Sequence, residues 1–192
     1  VIDPNPEFCL SNRPTVSDLE SSIESIGAVN WYEDALLTKL LLSTDYLIDN
    51  TDYFATQTNS TGCESSAAVQ INVTLYDTST PTIIDSNADY CINDEPTIND
   101  LSLNIVEYIS EASNIIWYDS ETGGTAYDNW SVLSEGTYYA ALINTTTRCE
   151  SSIRLSVTPD LTACGELEIP DGFSPNGDGI NDTLDVDFLG VL

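Results

Sequence analysis

The chain contains an internal repeat, which limits the folds that it can adopt. Residues 8–19 (FCLSNRPTVSDL) match residues 90–101 (YCINDEPTINDL) position by position, and the tetrapeptide CESS occurs at 63–66 and again at 149–152. Aromatic segments recur with similar offsets, since NWYED and DYFA in the first copy correspond to IWYDS and TYYA in the second. Repetition along the whole length indicates a duplicated domain.

The repeat predicts two copies of one domain over residues 1–79 and 80–160, followed by the beginning of a further domain over residues 161–192. A hydrophobic content of 41% in 192 residues is typical of globular domains of this size. No apolar run reaches the roughly 18 residues that a membrane span needs, so we expect no membrane span. The first residues lack the basic and apolar regions of a signal peptide, and we expect a processed chain or a fragment.

Period-two patterns predict that each copy is built from β-strands. Val69, Ile71, Val73 and Leu75 alternate with polar residues near the end of the first copy, and residues 153–158 alternate in the same way in the second. This pattern is typical of half-buried strands. The Tyr-rich segments and the segments around the two Trp-Tyr pairs are also predicted strands. We therefore expect an all-β protein with tandem β-sandwiches.

One segment of each copy has helical spacing instead. Val16, Leu19, Ile23 and Ile26 share one face of a helix, and Leu101, Ile105 and Ile109 repeat the pattern. Ser17 and Glu20 have the spacing of a capping box, and Gly27 can end the helix. We expect a short helical turn at one end of each sandwich.

The five cysteines favour an oxidising compartment. One pair brackets each copy, which predicts disulfides between Cys9 and Cys63 and between Cys91 and Cys149. Each would close a loop of more than fifty residues and contribute roughly 4 kcal/mol to a small domain. Cys164 remains without a partner in this scheme, and it either stays free or bonds elsewhere. With no His and no C-x-x-C spacing, a zinc site is disfavoured.

The charge balance is strongly acidic and disfavours two classes of partner. Thirty-two Asp and Glu residues stand against four Lys and Arg, which gives a formal net charge of −28. Nucleic acids and anionic lipids are bound through clustered cations, and the sequence has no such cluster. We expect no nucleic-acid partner.

Residues 169–183 (IPDGFSPNGDGINDT) concentrate Gly, Pro, Asp and Asn, which are turn-forming residues. The spacing also matches an EF-hand-like calcium loop with Gly179 at its sixth position. Ser in place of the first Asp, and Asp in place of the final Glu, weaken that match. A rigid recognition turn is the favoured interpretation and a calcium site the alternative, with these ligands: Ser174, Asn176, Asp178, Ile180, Asp182 and Asp185.

Two motifs resemble known families. WYDSETGG (117–124), TYYA (137–140) and CESS (149–152) resemble the immunoglobulin-like domains repeated in large surface proteins of the Bacteroidota. Residues 169–182 resemble the start of the gliding-motility-associated C-terminal domain, the type B sorting domain of the type IX secretion system. Only Asp171 departs from that family's hallmark, which has Asn there.

The resemblance implies a function at the cell surface, as in SprB-like gliding adhesins. It implies export through the type IX secretion translocon and retention on an outer-membrane barrel of the PorP/SprF type. The expected localisation is therefore extracellular, at the outer-membrane surface. The sorting motif would be carried by these residues: Pro170, Gly172, Phe173, Pro175, Asn176, Gly177, Asp178, Gly179, Asn181 and Asp182.

Catalysis is not expected. Without His, the chain can form neither a Ser-His-Asp nor a Cys-His arrangement. Acidic pairs such as Asp119 and Glu121 are expected by chance in so acidic a chain. The sequence thus predicts a non-catalytic adhesin stalk that carries a sorting signal. The alternatives are a carbohydrate-binding module that uses aromatic residues such as Trp130, and an accessory region of a secreted hydrolase.

Overall fold

The computed structural model describes residues 1–108, 114–168 and 187–189. It divides into two compact units. The first contains Val1–Pro81 and Ala141–Arg154, and the second contains Thr82–Ala140 and Leu155–Leu192. The segment 141–154, which belongs to the second repeat copy in sequence, is thus part of the first unit.

The described elements are mostly β-strands, as expected for an all-β protein. The strands are β1 (Glu7–Cys9), β2 (Ala28–Tyr32), β3 (Thr51–Thr58), β4 (Val69–Tyr76), β5 (Ile115–Tyr118), β6 (Tyr138–Leu142), β7 (Leu155–Val157), β8 (Glu166–Glu168) and β9 (Asp187–Leu189). One α-helix, α1, spans Ile98–Leu103, and 3₁₀ helices span Leu10–Asn12, Val16–Ser22 and Ile92–Asp94.

The first unit contains a four-stranded sheet in the order β1-β4-β3-β2. The pairs β2–β3 and β3–β4 are antiparallel, whereas β1 runs parallel to β4. The short strand β1 pairs only with the final residues of β4, and Cys9 lies opposite Tyr76. The parallel pairing therefore fixes the first cysteine at the C-terminal end of β4.

Alternation along the strands builds the core of the first unit. Ile71 and Val73 of β4 are completely buried, as the period-two pattern predicts, whereas Val69 at the strand's start is 38% exposed. The 3₁₀ helix Val16–Ser22 covers these residues with its apolar side. The core consists of Val16, Leu19, Trp31, Leu47, Tyr53, Ala55, Ile71 and Val73.

The second unit repeats this plan. Its sheet has the order β5-β6-β7, with β6 and β7 antiparallel. Helix α1 occupies the position of the first unit's 3₁₀ helix and buries Ile98 and Leu101. Trp117 of β5 is buried in the same way as Trp31 of β2. The strands β8 and β9 form a separate antiparallel pair.

A helical turn is present in both copies, but both of its ends differ from the prediction in the first copy, where it stops at Ser22 and not at Gly27, and Ile26 is fully exposed. The helices begin after Thr15 and Thr97, and not at Ser17. The carboxylate of Asp18 accepts a hydrogen bond from the Thr15 backbone N–H at 2.7 Å, and Asp100 does the same for Thr97 at 2.6 Å. A short carboxylate at the third helical position thus replaces the predicted Glu20.

Candidate functional site: two cysteine hairpins

The predicted sorting motif and calcium loop, Pro170 to Asp185, lie outside the described residues. Across the described part of the chain, no group of three or more His, Cys, Asp or Glu residues could hold a metal ion. Within the described chain, the candidate functional site consists of two hairpins, one carrying Cys63 and the other Cys149. They follow β3 and β6 respectively and contain the repeated CESS motif.

The structure pairs the cysteines differently from the prediction. Cys9 is bonded to Cys149, with the two Cα atoms 5.2 Å apart, and Cys91 is bonded to Cys164 at 4.4 Å. Cys63 is exposed and free. The predicted partners Cys9–Cys63 and Cys91–Cys149 are therefore not joined, and Cys164 has a partner.

The geometry of β4 explains why Cys9 does not reach Cys63. Cys9 lies beside Tyr76 at the C-terminal end of β4, whereas Cys63 precedes Val69 at the opposite end. At a rise of about 3.3 Å per residue, the eight residues of β4 separate the two ends by roughly 23 Å. A disulfide needs Cα atoms within about 7 Å, so the sheet itself prevents this pair.

The same arrangement places Cys91 next to Cys164. Asp89 forms a parallel bridge with Asp160, and Cys91 an antiparallel bridge with Thr162, just beyond the end of β7. Cys164 follows two residues later, within the reach of Cys91. In both copies the first cysteine thus lies at or just beyond the C-terminal end of the copy's last strand.

The two hairpins share one turn design, organised by an asparagine. The backbone N–H of Asn59 donates to the carbonyl of Cys63 at 3.0 Å, and the N–H of Asn144 donates to the carbonyl of Cys149 at 2.9 Å. Each Asn side-chain oxygen accepts two backbone N–H groups within its turn. The residue before each cysteine is left-handed, with φ 84° at Gly62 and 62° at Arg148.

The first serine of CESS ties each hairpin to the preceding strand. The Ser65 N–H donates to the Gln57 carbonyl at 2.9 Å, while its Oγ accepts the Gln57 N–H at 3.1 Å. Ser151 and Leu142 form the same pair of bonds, at 2.9 and 2.8 Å. The repeated motif therefore has a structural explanation: it sets the backbone path beside the cysteine.

Glu64, the residue after Cys63, fastens the hairpin across the sheet. Its carboxylate accepts hydrogen bonds from the hydroxyl of Thr56, from Asn30 at 3.0 Å and from the Tyr32 hydroxyl at 2.8 Å. These donors, with Thr56 first, lower the pKa of Glu64. The same carboxylate raises the pKa of Tyr32, because ionising that phenol would remove its hydrogen bond to Glu64.

The surroundings of the two hairpins differ. Cys149 is 2% exposed, and residues 77–80 run beside its hairpin through a parallel bridge between Thr78 and Ser151. The Thr78 hydroxyl donates to the Cys149 carbonyl at 2.8 Å, and Asp77 accepts from the N–H and hydroxyl of Ser152 at 2.9 and 2.8 Å. By contrast, residues 59–67 are exposed throughout.

The other candidate residues lie apart from these hairpins. Trp31 and Trp117 belong to the cores, while Trp130 is 76% exposed. Asp119 organises a turn by accepting the Thr125 N–H at 2.9 Å. Cys63 is exposed and free, whereas the spacing predicted that it is bonded to Cys9. No signal in the sequence singled it out, because five cysteines leave one unpaired and Cys164, which has no counterpart in the first copy, was the one expected to be left over.

No protein-family model matches the chain, and no curated protein is significantly similar to it. Within the described residues, no helix is both long and apolar enough to cross a membrane.

Proposed function

We propose that the chain is a non-catalytic stalk region of a cell-surface adhesin, followed by a type IX secretion sorting and anchoring signal used in gliding motility. The observation that carries the proposal is the sequence of residues 169–182, which matches the sorting-domain hallmark at every position except Asp171. Two disulfides in a chain of small β-units support an extracellular location, since such bonds persist in oxidising compartments.

We further propose that the units are immunoglobulin-like. The order β2-β3-β4 corresponds to strands C, F and G of that fold, and Trp31 takes the place of the strand-C tryptophan. The Tyr53 hydroxyl accepts the Ile48 N–H at 2.8 Å, and Tyr138 accepts the Ser134 N–H at 2.8 Å. A tyrosine bonded to the backbone a few residues upstream is a feature of immunoglobulin domains.

In this proposal the units act mechanically. Disulfide-fastened β-units hold a distal adhesive region away from the cell, and the C-terminal segment is recognised by the translocon and by a PorP/SprF-type barrel. A formal charge of −28 keeps such a stalk solvated and disfavours its self-association. Calcium in the loop of residues 174–185 is part of the proposal only as a local stabiliser of the turn.

The test replaces residues 169–183 with a Gly-Ser linker of equal length in the full protein and locates the product in the producing cell. The proposal expects accumulation in the periplasm, or release into the medium if the segment serves anchoring alone. A control replaces the exposed residues 84–87, which belong neither to the motif nor to either cysteine hairpin, with a Gly-Ser linker of equal length, and leaves surface display unchanged. Unchanged display of the first variant would contradict the proposal.

Trp130 favours carbohydrate binding as a second candidate function. Its indole is 76% exposed, and a flat exposed aromatic ring can stack on a sugar. A glycan array probed with the chain and with its Trp130→Ala variant tests this candidate. Hits that the substitution abolishes would support it, and an array without hits would leave the stalk proposal in place.

A further inference from the structure

We propose that the hairpin around Cys63 is a covalent docking site for another module of this same repeat. In this arrangement the first-strand cysteine of that module forms a disulfide with Cys63. The proposal rests on a comparison of the Cys63 hairpin with the Cys149 hairpin. It does not depend on the sorting signal or on the route of export.

The second copy displays the occupied form of the site. There the equivalent cysteine, Cys149, is bonded to Cys9, which ends the first strand of the other copy. Residues 77–80, where that copy ends, run beside the hairpin: the Ser152 N–H donates a hydrogen bond to the Asp77 carboxylate at 2.9 Å, and the Thr80 hydroxyl donates to the Ile153 carbonyl at 3.1 Å. The strand-end cysteine is thus the covalent occupant of the site, and the Asp-Thr segment covers the serine next to it.

The first copy displays the same site with nothing covering it. The Ser65 bonds to Gln57 reproduce those of Ser151 to Leu142, and the turn around Asn59 is organised like that around Asn144 with one residue fewer, so the backbone beside the serine that would receive an occupant is already in place. Ser66, the counterpart of Ser152, has no hydrogen-bond partner among the residues that the structure describes. A cavity of about 520 Å³ opens beside Cys63, and Gly27, Thr58 and Glu64 also line it.

The contrast in burial supports docking in preference to a chance free thiol. The motif CESS is identical in both copies, yet Cys149 and Ser151 are 2% and 3% exposed while Cys63 to Ser66 are all exposed. The same motif follows an Asn-organised turn of five residues in the first copy and of six in the second, and it is bare in the first and covered in the second. This contrast indicates an absent neighbour at the first hairpin. The neighbour best suited to it is the segment type already bound at the second hairpin.

The bond can form by thiol–disulfide exchange, in which the disulfide carried by the incoming peptide is the oxidant and glutathione is reduced. The Cys63 thiolate attacks the cysteine sulfur of an incoming peptide that is held as a mixed disulfide with glutathione. The new bond joins Cys63 to the peptide, the peptide–glutathione bond breaks, and glutathione leaves as a thiolate that takes up a proton.

The test uses the full chain and a peptide probe with the sequence of residues 1–13, VIDPNPEFCLSNR, supplied as its glutathione mixed disulfide. A scrambled peptide with the same composition and its Cys in the same position is the matched control. Adducts at Cys63 are quantified by intact mass and peptide mapping, and the Cys63→Ser variant defines the background. We expect at least about tenfold more adduct from the native peptide, because its binding raises the effective concentration of the mixed disulfide at Cys63.

The preference should disappear when the chain is unfolded in urea, since the folded hairpin creates it. Equal adduct from native and scrambled peptides in the folded chain would overturn the proposal. A dominant Cys63–Cys63 dimer would also overturn it, because the thiol would then join two copies through the same residue. None of these outcomes depends on secretion, so they are distinguishable from a failure of the proposed function.

Discussion

The indole nitrogens of the two core tryptophans have different environments. Trp117 Nε1 donates to the buried Ser102 hydroxyl at 2.9 Å, and Ser102 in turn donates to the Ile98 carbonyl at 3.0 Å. Trp31 Nε1 is buried without a partner among the described residues. The difference follows from sequence, because Glu20 occupies in the first copy the position of Ser102 in the second.

Substituting each tryptophan by phenylalanine should separate packing from hydrogen bonding. Both variants lose similar buried area, but only Trp117→Phe also loses a buried hydrogen bond, which is worth about 1 kcal/mol. We therefore expect Trp117→Phe to lower the free energy of unfolding by about 1 kcal/mol more than Trp31→Phe. Urea denaturation followed by circular dichroism measures both. Equal losses would contradict the assigned environments.

Glu64 predicts a dependence of stability on pH. Hydrogen bonds from Thr56, Asn30 and Tyr32 lower its pKa in the folded state below the ordinary value of 4.5. A lowered folded pKa means that the carboxylate stabilises the fold above the unfolded pKa, and that this stabilisation disappears as the pH falls through the folded pKa.

The Glu64→Gln variant should thus melt at a lower temperature than the unsubstituted chain near neutral pH. The difference between their melting temperatures should shrink as the pH is lowered from about 6 to about 3. Comparing the two chains at each pH removes the effect of the many other carboxylates. A difference that stays constant across this range would show that the Glu64 charge contributes nothing.

At the scale of elements, the loop after the Trp-Tyr strand has the same length in both copies, but different residues stabilise it. The isolated bridges Tyr32–Leu40 and Tyr118–Ala126 are equivalent. The second copy uses a Gly-Gly turn, with φ 63° and 75° at Gly123 and Gly124. The first lacks glycine and relies on Asp34, whose carboxylate accepts backbone N–H groups of residues 36, 38 and 39.

The two glycines predict unequal effects of alanine. At Gly123 an added methyl group meets open space, so Gly123→Ala should cost only the left-handed backbone, about 1 kcal/mol. At Gly124 the methyl group would overlap the Ser120 hydroxyl and the Asp119 carboxylate. Gly124→Ala should therefore cost about 2 kcal/mol or more in the free energy of unfolding. Equal costs in urea denaturation would contradict this turn geometry.

At the scale of the whole molecule, the two disulfides close long loops. The sequence separations are 140 residues for Cys9–Cys149 and 73 residues for Cys91–Cys164. In the chain-entropy model such loops each contribute roughly 4 to 5 kcal/mol by restricting the unfolded chain. The double variant Cys9→Ser/Cys149→Ser should lose about 3 to 5 kcal/mol, whereas Cys63→Ser should change stability by less than about 0.5 kcal/mol. Similar losses in both would contradict the assigned pairing.

The sequence predicted the elements well and the long-range connections poorly. The repeat, the strands around Trp31 and Trp117, and the helical turns follow from local periodicity. The cysteine pairing depends on which end of β4 the short strand β1 joins, and nothing in the spacing of Cys9 and Cys63 records that choice. The sequence also could not show that one hairpin is covered and the other exposed, because the motif CESS is identical in both copies.

The cysteine pairing is tested most directly by a disulfide map of the isolated folded chain. Free thiols would be alkylated first, and the protein would then be digested with pepsin at low pH, where disulfides do not exchange. We predict one linked peptide pair containing Cys9 and Cys149, another containing Cys91 and Cys164, and alkylation confined to Cys63. A peptide pair that joins Cys9 to Cys63 would contradict this pairing.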